Sequence, residues 1–397
     1  MSIKSNITLY YLFNLFRQSF FFAPVVVLFF QANNLSMTEI LLLQSIYSIA
    51  IVLLEVPTGA IGDYFGKKIS ISIGAFLFFL GLSIYSIGTS FTIFLIAELV
   101  AGIGSSLISG SDSALIHGSL KNIGKEKDYK KVEGTANSFL LTGFLIAGLI
   151  GGYIGGYSLR LTMICSAVSA FIVFIISLFF TEPKIKVEGE KEAYKELIIN
   201  SIEIVRENKL LLWLIFYSAI LTAFAYVLGW YYQLFFIKVN IDVVYFGWLY
   251  ALLGIIAIVS SKYTHQIEIF FGNKGSLILL SSLIIIPSIL LGKIASIFAV
   301  SLFAFHQIFR GISKVIFNER ILSVIPSSKS ATILSINNLG NRFFFALLGP
   351  IFGYLTDAYS LEITLLSLGI SVFSISIIMV VIYNYILNKS ISKSQAP

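Results

Sequence analysis

The stretch GAIGDYFGKK, from Gly59 to Lys68, decides how the rest of the chain is read. It is polar and punctuated by glycine, and it lies between two long apolar runs, one beginning at Thr38 and one extending from Ile69 to Gly88. Apolar runs of that length cross a hydrocarbon core of about 30 Å as helices. The stretch therefore reads as a tight loop between two membrane-spanning helices. Its glycines let the helix ends approach each other, and Asp63 with the Lys67, Lys68 pair sets fixed charge at the membrane surface.

The remaining composition agrees. Of 397 residues, 57% are hydrophobic and 12% charged, with a mean hydropathy of +0.92. That excludes a soluble surface and gives a polytopic membrane protein. The net charge of +7 forms no basic cluster outside the segments between apolar runs, so it reflects positive-inside topology and not a nucleic-acid partner. The single cysteine, Cys165, lies in an apolar run and can form no intramolecular disulfide, and no Cys/His spacing suits a metal, so no cofactor is expected. The first run, residues 8–31, is longer than a signal-peptide core and is not followed by a small-residue cleavage pattern, so it reads as a retained span.

Twelve runs are long enough to span, with both termini on one side. Among the 27 Lys and Arg residues, Arg160, Lys238 and Lys293 fall at the outer face and Arg17, Arg310, Lys314 and Arg342 within spans, if the termini are inside; all others fall on the inner side. This asymmetry predicts cytoplasmic termini in the cell membrane. The long connection, 182–208, divides the chain into a six-helix bundle over 1–181, a cytoplasmic linker, a second bundle over 209–388 and a tail over 389–397. In the linker Tyr194, Leu197, Ile198, Ile202 and Val205 recur at helical spacing, which predicts an amphipathic helix on the inner membrane face, or a solvated linker helix.

The two halves repeat. The segment from Asn137 aligns with the one ending in Tyr359 to Thr364, so that Gly151 matches Gly353 and Gly148 matches Pro350, and Lys262 to Ser276, with Gly272, Asn273 and Lys274, is a degraded copy of the opening stretch. The opening stretch resembles the loop between helices 2 and 3 of the major facilitator superfamily, with Gly59, Asp63, Gly66, Lys67 and Lys68 in the matching places and Tyr64 where the family has arginine. Repeat, linker and motif together extend the resemblance over nearly the whole chain. It implies an all-α membrane fold of twelve transmembrane helices in two six-helix bundles, with the Gly59–Lys68 residues as a gating motif in which Asp63 meets the end of span 11. The family's antiporter pattern is similar to Gly143, Ala147, Gly148, Gly151 and Gly152 in span 5, without its Gly-Pro centre; Gly349, Pro350 and Gly353 of span 11 keep that centre, and both sets imply close helix packing.

Ionisable side chains in hydrocarbon cost about 2.5–3.5 kcal/mol each, so they are functional candidates when they face an interior. In span 4, Glu98, Gly102, Ser105, Ser109 and Asp112 fall at alternating spacings of four and three, which places them on one face of a continuous helix. Glu55 of span 2 shares a face with Gln44, Tyr47 and Ser48. Glu55, Glu98 and Asp112 are the proton-coupling candidates, and Arg17, beside Asn14 and Gln18, is the counter-charge for a carboxylate in the same bundle. The second half is cationic: His306, Arg310 and Lys314 repeat every four residues in span 10, and Arg342 accompanies Asn338 and Asn341 in span 11. With Tyr226, Trp230 and Gln233 on one face of span 7, these make Asn14, Arg17, Tyr226, Trp230, His306, Arg310, Lys314 and Arg342 the substrate-binding candidates. Ion pairs serving only to hold the bundles, and interfacial placement of Trp and Tyr, are the structural alternatives.

These patterns point to a proton-coupled secondary transporter, acting as a monomer, with a small-molecule substrate, protons and the bilayer as partners, and exporting amphipathic organic compounds. A carrier of an anionic or zwitterionic solute held by Arg310, Lys314 and Arg342 is the alternative within transport, and a receptor or scaffold the alternative outside it. An enzyme is not expected: His117, His265 and His306 have no metal or nucleophile partner at motif spacing, and the glycine-rich segments lack a P-loop lysine.

Overall fold

The computed structural model describes residues 3–183, 203–326 and 329–394. The side chains of Glu55 and Asp63, with Gly59, lie outside what it describes, as do Tyr194, Leu197, Ile198 and Ile202 of the expected linker helix. Among the described residues all regular structure is helical. Twelve helical segments follow one another: span 1 (Ser5–Arg17, then Val26–Ala32), span 2 (Met37–Phe65), span 3 (Lys67–Ile87), span 4 (Phe91–Ile108, then Ser111–Asn122), span 5 (Tyr129–Gly155) and span 6 (Leu159–Leu178); then span 7 (Lys209–Trp230, Tyr232–Lys238), span 8 (Phe246–Lys262), span 9 (Thr264–Leu291), span 10 (Phe303–Ser323), span 11 (Ser330–Ala358) and span 12 (Leu361–Ser394). Ten of them are individually long and apolar enough to cross a membrane. Span 1 is interrupted between Arg17 and Ala23, and span 11 is made less apolar by Asn337, Asn338, Asn341 and Arg342.

The chain forms two compact units, Met1–Val187 with Asn240–Ala251, and Glu188–Val239 with Leu252–Pro397. In the first, span 3 packs on spans 4 and 6, span 2 on span 4, and span 1 on spans 5 and 6. Without a hydrophobic drive between helices in lipid, close backbone approach supplies the packing. A Cβ on Gly74 would lie 2.7 Å from the Gly104 carbonyl oxygen, and one on Gly81 2.7 Å from Ala101 Cβ. Arg160 is consumed structurally: it donates to the Ser86 and Gly88 carbonyls at the end of span 3 (2.7 and 3.1 Å) and to Asn33 Oδ1 (3.0 Å). In the second unit, span 7 lies against spans 10, 11 and 12, and spans 9 and 12 pack together. Span 7 is apolar all round, as a helix central to its unit must be, with Tyr217, Phe224, Tyr231, Tyr232, Phe235 and Phe236 fully buried.

The Gly59–Lys68 stretch is not the loop that its glycines suggest. Span 2 stays helical to Phe65 and span 3 begins at Lys67, so the connection is the single residue Gly66, at φ 100° and ψ 150°. That backbone region is open to glycine alone. The carboxylate of Glu182 accepts from the backbone N–H groups of Lys67 (2.9 Å) and Lys68 (2.6 Å), capping the donors that the start of span 3 leaves unmatched. The degraded copy shares this geometry: Phe271-Gly272-Asn273-Lys274-Gly275-Ser276 parallels Phe65-Gly66-Lys67-Lys68-Ile69-Ser70, and Gly272 breaks span 9 at φ 67°. Glu182→Ala is expected to lower stability by about 0.5–1 kcal/mol, the lower range for a lost helix cap at an exposed site, and Glu182→Gln by less because an acceptor remains. Thermal unfolding of the purified protein in detergent measures both.

Candidate functional site

Span 4 carries the polar residues of the first unit, but not as one stripe. Its helix stops at Ile108; Ser109 turns to ψ 127° and Gly110 to φ 77° before helix resumes at Ser111. The Ile-Ser-Gly-Ser run has the residues that favour such a break, hydroxyls that compete for backbone groups and a glycine that accepts positive φ. The break resets the helical phase, so Asp112 does not continue the face of Glu98, Gly102 and Ser105. Those three face span 2. The Glu98 carboxylate, 6% exposed, is hydrogen-bonded by the Gln44 side-chain amide, Tyr47 bonds Ser105 Oγ (3.3 Å), and Gly102 lies under the Tyr47 ring. Among the described residues no Lys, Arg or His lies within 4.0 Å of Glu98.

Asp112 instead faces span 1. Arg17 Nη1 donates to Asp112 Oδ2 at 2.6 Å, and the backbone N–H of Ser113 donates to Oδ1 at 2.8 Å. The cation and carboxylate expected in one bundle are thus paired. Next to them the Tyr10 hydroxyl bonds both carboxylate oxygens of Glu133 (3.2 Å each), and Ser113 Oγ reaches Glu133 Oε1 at 3.4 Å. Tyr10 and Glu133 were not legible as site residues, because Glu133 follows Lys130 and Lys131 at the very start of span 5 and reads as charge at the membrane surface. Asn14 spends its amide on its own helix, donating to the Tyr10 carbonyl at 2.9 Å.

In the second unit the interruption of span 7 at Tyr231 likewise separates Tyr226 and Trp230 from Gln233. Tyr226 is exposed with its ring edge toward Phe345, Trp230 is half-buried and Gln233 is buried. The tyrosine that meets His306 of span 10 is Tyr232, whose hydroxyl lies 2.6 Å from His306 Nδ1. Gln307 Nε2 donates to the same hydroxyl (3.4 Å), and Arg310 Nη1 donates to Gln307 Oε1 (3.4 Å). The four-residue repeat of span 10 does not hold one environment, because four residues advance a helix by slightly more than a turn: His306 is buried, whereas Arg310 and Lys314 are exposed. Arg342 is half-buried, and the Oδ1 atoms of Asn337 and Asn341 beside it in sequence are buried without a hydrogen bond. At the other end of this unit a cavity of about 580 Å³ is lined by His265, Glu268, Asn273, Arg320 and Tyr383 among others. There Arg320 bonds Glu268 (2.8 Å) and Ser276 Oγ (2.6 Å).

The glycine sets have a packing role in the first unit: a Cβ on Gly151 would strike the Phe21 carbonyl, and one on Gly152 the backbone of Gly247. Gly349 and Gly353 are buried on span 11, which carries Pro350 within its helix. Among the described residues no group of His, Cys, Asp and Glu could hold a metal ion.

The first unit thus buries the carboxylates Glu98 and Asp112 on the interrupted span 4, and both units carry a Phe-Gly break. The sequence profile of the Major Facilitator Superfamily matches residues 7–345. The chain belongs to the major facilitator superfamily. It is 26% identical over 353 residues, 86% of each chain, to the MFS-type transporter YxaM of Bacillus subtilis (strain 168). It is also 23% identical over 165 residues, 42% of this chain and 40% of the other, to Multidrug resistance protein 2 of the same organism. Among solved structures, the nucleoside transporter NupG superposes with a TM-score of 0.78 at 15% identity, over 96% of this chain and 99% of that one. A bacterial homologue of the human lysosomal transporter Spinster, inward-facing and unoccupied, gives 0.73 at 14% identity over 96% and 94%. These structures share the fold, which serves several solute classes.

Proposed function

We propose that this superfamily member is a proton-coupled secondary active transporter, an antiporter that exports small amphipathic organic compounds across the cell membrane, with both termini and the 182–208 linker in the cytoplasm. The observation that carries the coupling is Glu98: a carboxyl group buried in the first unit, bonded by a neutral amide, with no cation beside it among the described residues. Such a group is tolerated inside hydrocarbon when it gains and loses a proton as part of the transport cycle. Asp112 has its charge matched by Arg17, so a proton arriving at Asp112 would release Arg17. Export is supported by the glycine pattern of span 5 and by the partial match to Multidrug resistance protein 2. Glu98→Gln is expected to abolish proton-driven accumulation in proteoliposomes while solute exchange, which needs no net proton movement, stays measurable. Full pH-driven transport by this variant would remove Glu98 from the coupling. The cationic second unit, with Arg310, Lys314 and Arg342, favours a second reading, a carrier of an anionic or zwitterionic solute.

A further inference from the structure

The two Phe-Gly breaks differ in what closes them. At Gly66 the Glu182 carboxylate fills the space beside the glycine: a Cβ there would lie 3.2 Å from its Cδ and 3.3 and 3.4 Å from its oxygens, which accept from the N–H groups of Lys67 and Lys68. At Gly272 a Cβ would meet nothing within 4 Å. Asn273 and Lys274, the counterparts of Lys67 and Lys68, begin the second part of span 9, and the first N–H groups of a helix have no partner within it. Gly272 and Asn273 line the cavity of about 580 Å³, whose size suits a small molecule, for which about 300–1,000 Å³ is usual. Arg320 stands beside this helix start. Its Nη2 donates to Ser276 Oγ at 2.6 Å, and Nε and Nη2 share Glu268 Oε1 at 3.3 and 2.8 Å. That balances the charge of Glu268 and leaves both Nη1 hydrogens of Arg320 without a partner among the described residues. Leu210 and Leu214 of span 7 and Tyr383 of span 12 give the cavity an apolar wall, and Glu319, exposed and in no ion pair among the described residues, completes the lining.

We propose that this cavity is a second binding site, for a small amphipathic zwitterion of the amino-acid kind, whose carboxylate takes beside Gly272 the place that Glu182 holds beside Gly66. The helix start and Arg320 Nη1 supply the donors for the carboxylate. Leu210, Leu214 and Tyr383 receive the apolar body, and Glu319 draws the ammonium group. A ligand with a carboxylate alone meets like charge at Glu319, and one with an ammonium alone meets it at the helix start and Arg320. The site lies in the second unit on the side of the 182–208 linker, apart from Glu98 and Asp112, and does not rest on the transport reading.

The test is isothermal titration of the full chain, purified in detergent, with leucine, with leucinamide, which lacks the carboxylate, and with 4-methylpentanoate, which lacks the ammonium group. Leucine is expected to bind, leucinamide about tenfold more weakly, the size of one hydrogen bond to a charged group, and 4-methylpentanoate about two- to fivefold more weakly, the size of an exposed ion pair. Asn273→Asp places a carboxylate of the chain itself in the first turn, where the helix dipole favours it, so leucine binding should disappear with no loss of melting temperature. Glu319→Gln should bring leucine and 4-methylpentanoate to equal affinity. No leucine binding, equal binding of leucine and leucinamide, or unchanged binding by Asn273→Asp overturns the site, and a preference for leucine over 4-methylpentanoate that survives Glu319→Gln overturns the zwitterion. Leucine binding lost in Glu98→Gln would assign it to the first unit and overturn the site as well. None of these readouts depends on transport, so a chain that binds leucine in this way and moves no solute would overturn the transporter reading and leave the site standing.

Discussion

Reversing the charges of Arg17 and Asp112 together is expected to recover most of the stability that either single change removes. The pair is held at 2.6 Å with side chains 25% and 10% exposed, largely withdrawn from water. Removing one partner strands the other charge, and breaking a buried pair costs about 3–5 kcal/mol; partial exposure of Arg17 sets the expectation at about 3 kcal/mol. Asp112→Asn and Arg17→Gln should each reduce the yield of monodisperse protein and its melting temperature. The effect extends beyond the pair, because Asp112 opens the second half of span 4 just past the break at Gly110, and Arg17 ends the first helix of span 1. The double variant Arg17→Asp with Asp112→Arg restores opposite charge with altered length and should recover stability incompletely. Thermal unfolding monitored by size-exclusion chromatography compares the four proteins; an Asp112→Asn variant as stable as the parent would mean that the pair contributes nothing.

The second large effect is steric. Span 5 meets span 1 through Gly143 and Gly151, where an added Cβ would fall on the carbonyl oxygens of Leu15 and Phe21. Backbone atoms cannot swing aside as a side chain does. Gly151→Ala must push the interrupted segment of span 1 at Phe21 away from span 5 and is expected to cost about 1–3 kcal/mol, the usual range for overpacking, and Gly151→Leu more. Gly148, one turn away on the same helix, supplies the control: a Cβ there meets nothing within 4 Å, so Gly148→Ala should leave stability unchanged. Equal melting temperatures for Gly151→Ala and Gly148→Ala would contradict the close approach of these spans.

The all-helical fold was legible because its determinants are local and long. Apolar runs set the spans, and the glycines mark where helices meet or stop. What the periodicity of span 4 hid was its interruption: counting by four and three assumes a continuous helix, and Ser109-Gly110 ends that assumption, sending Glu98 toward Gln44 of span 2 and Asp112 toward Arg17 of span 1. Span 7 shows the same limit. Its crowded aromatics were evident, but the break at Tyr231 decides that Tyr232 and not Trp230 reaches His306. Glu133 was hidden for another reason. Its sequence neighbours Lys130 and Lys131 share the first turns of span 5 with it and read as charge at the membrane surface, and only the packing of spans 1, 4 and 5 gives it Tyr10 and Ser113 as partners. Conversely, the Gly59–Lys68 stretch looked like a loop because glycine is read as a breaker; a helix closed by one residue, Gly66, uses only the last of those glycines for that purpose.

Proton coupling is tested most directly by net solute movement down its gradient into solute-free proteoliposomes loaded with a pH-sensitive dye and challenged with a panel of amphipathic organic compounds. The expected result is a dye response that appears only with a transported compound and has the sign of antiport, internal pH changing as protons move against the solute. Solute movement with no change in internal pH would contradict the account.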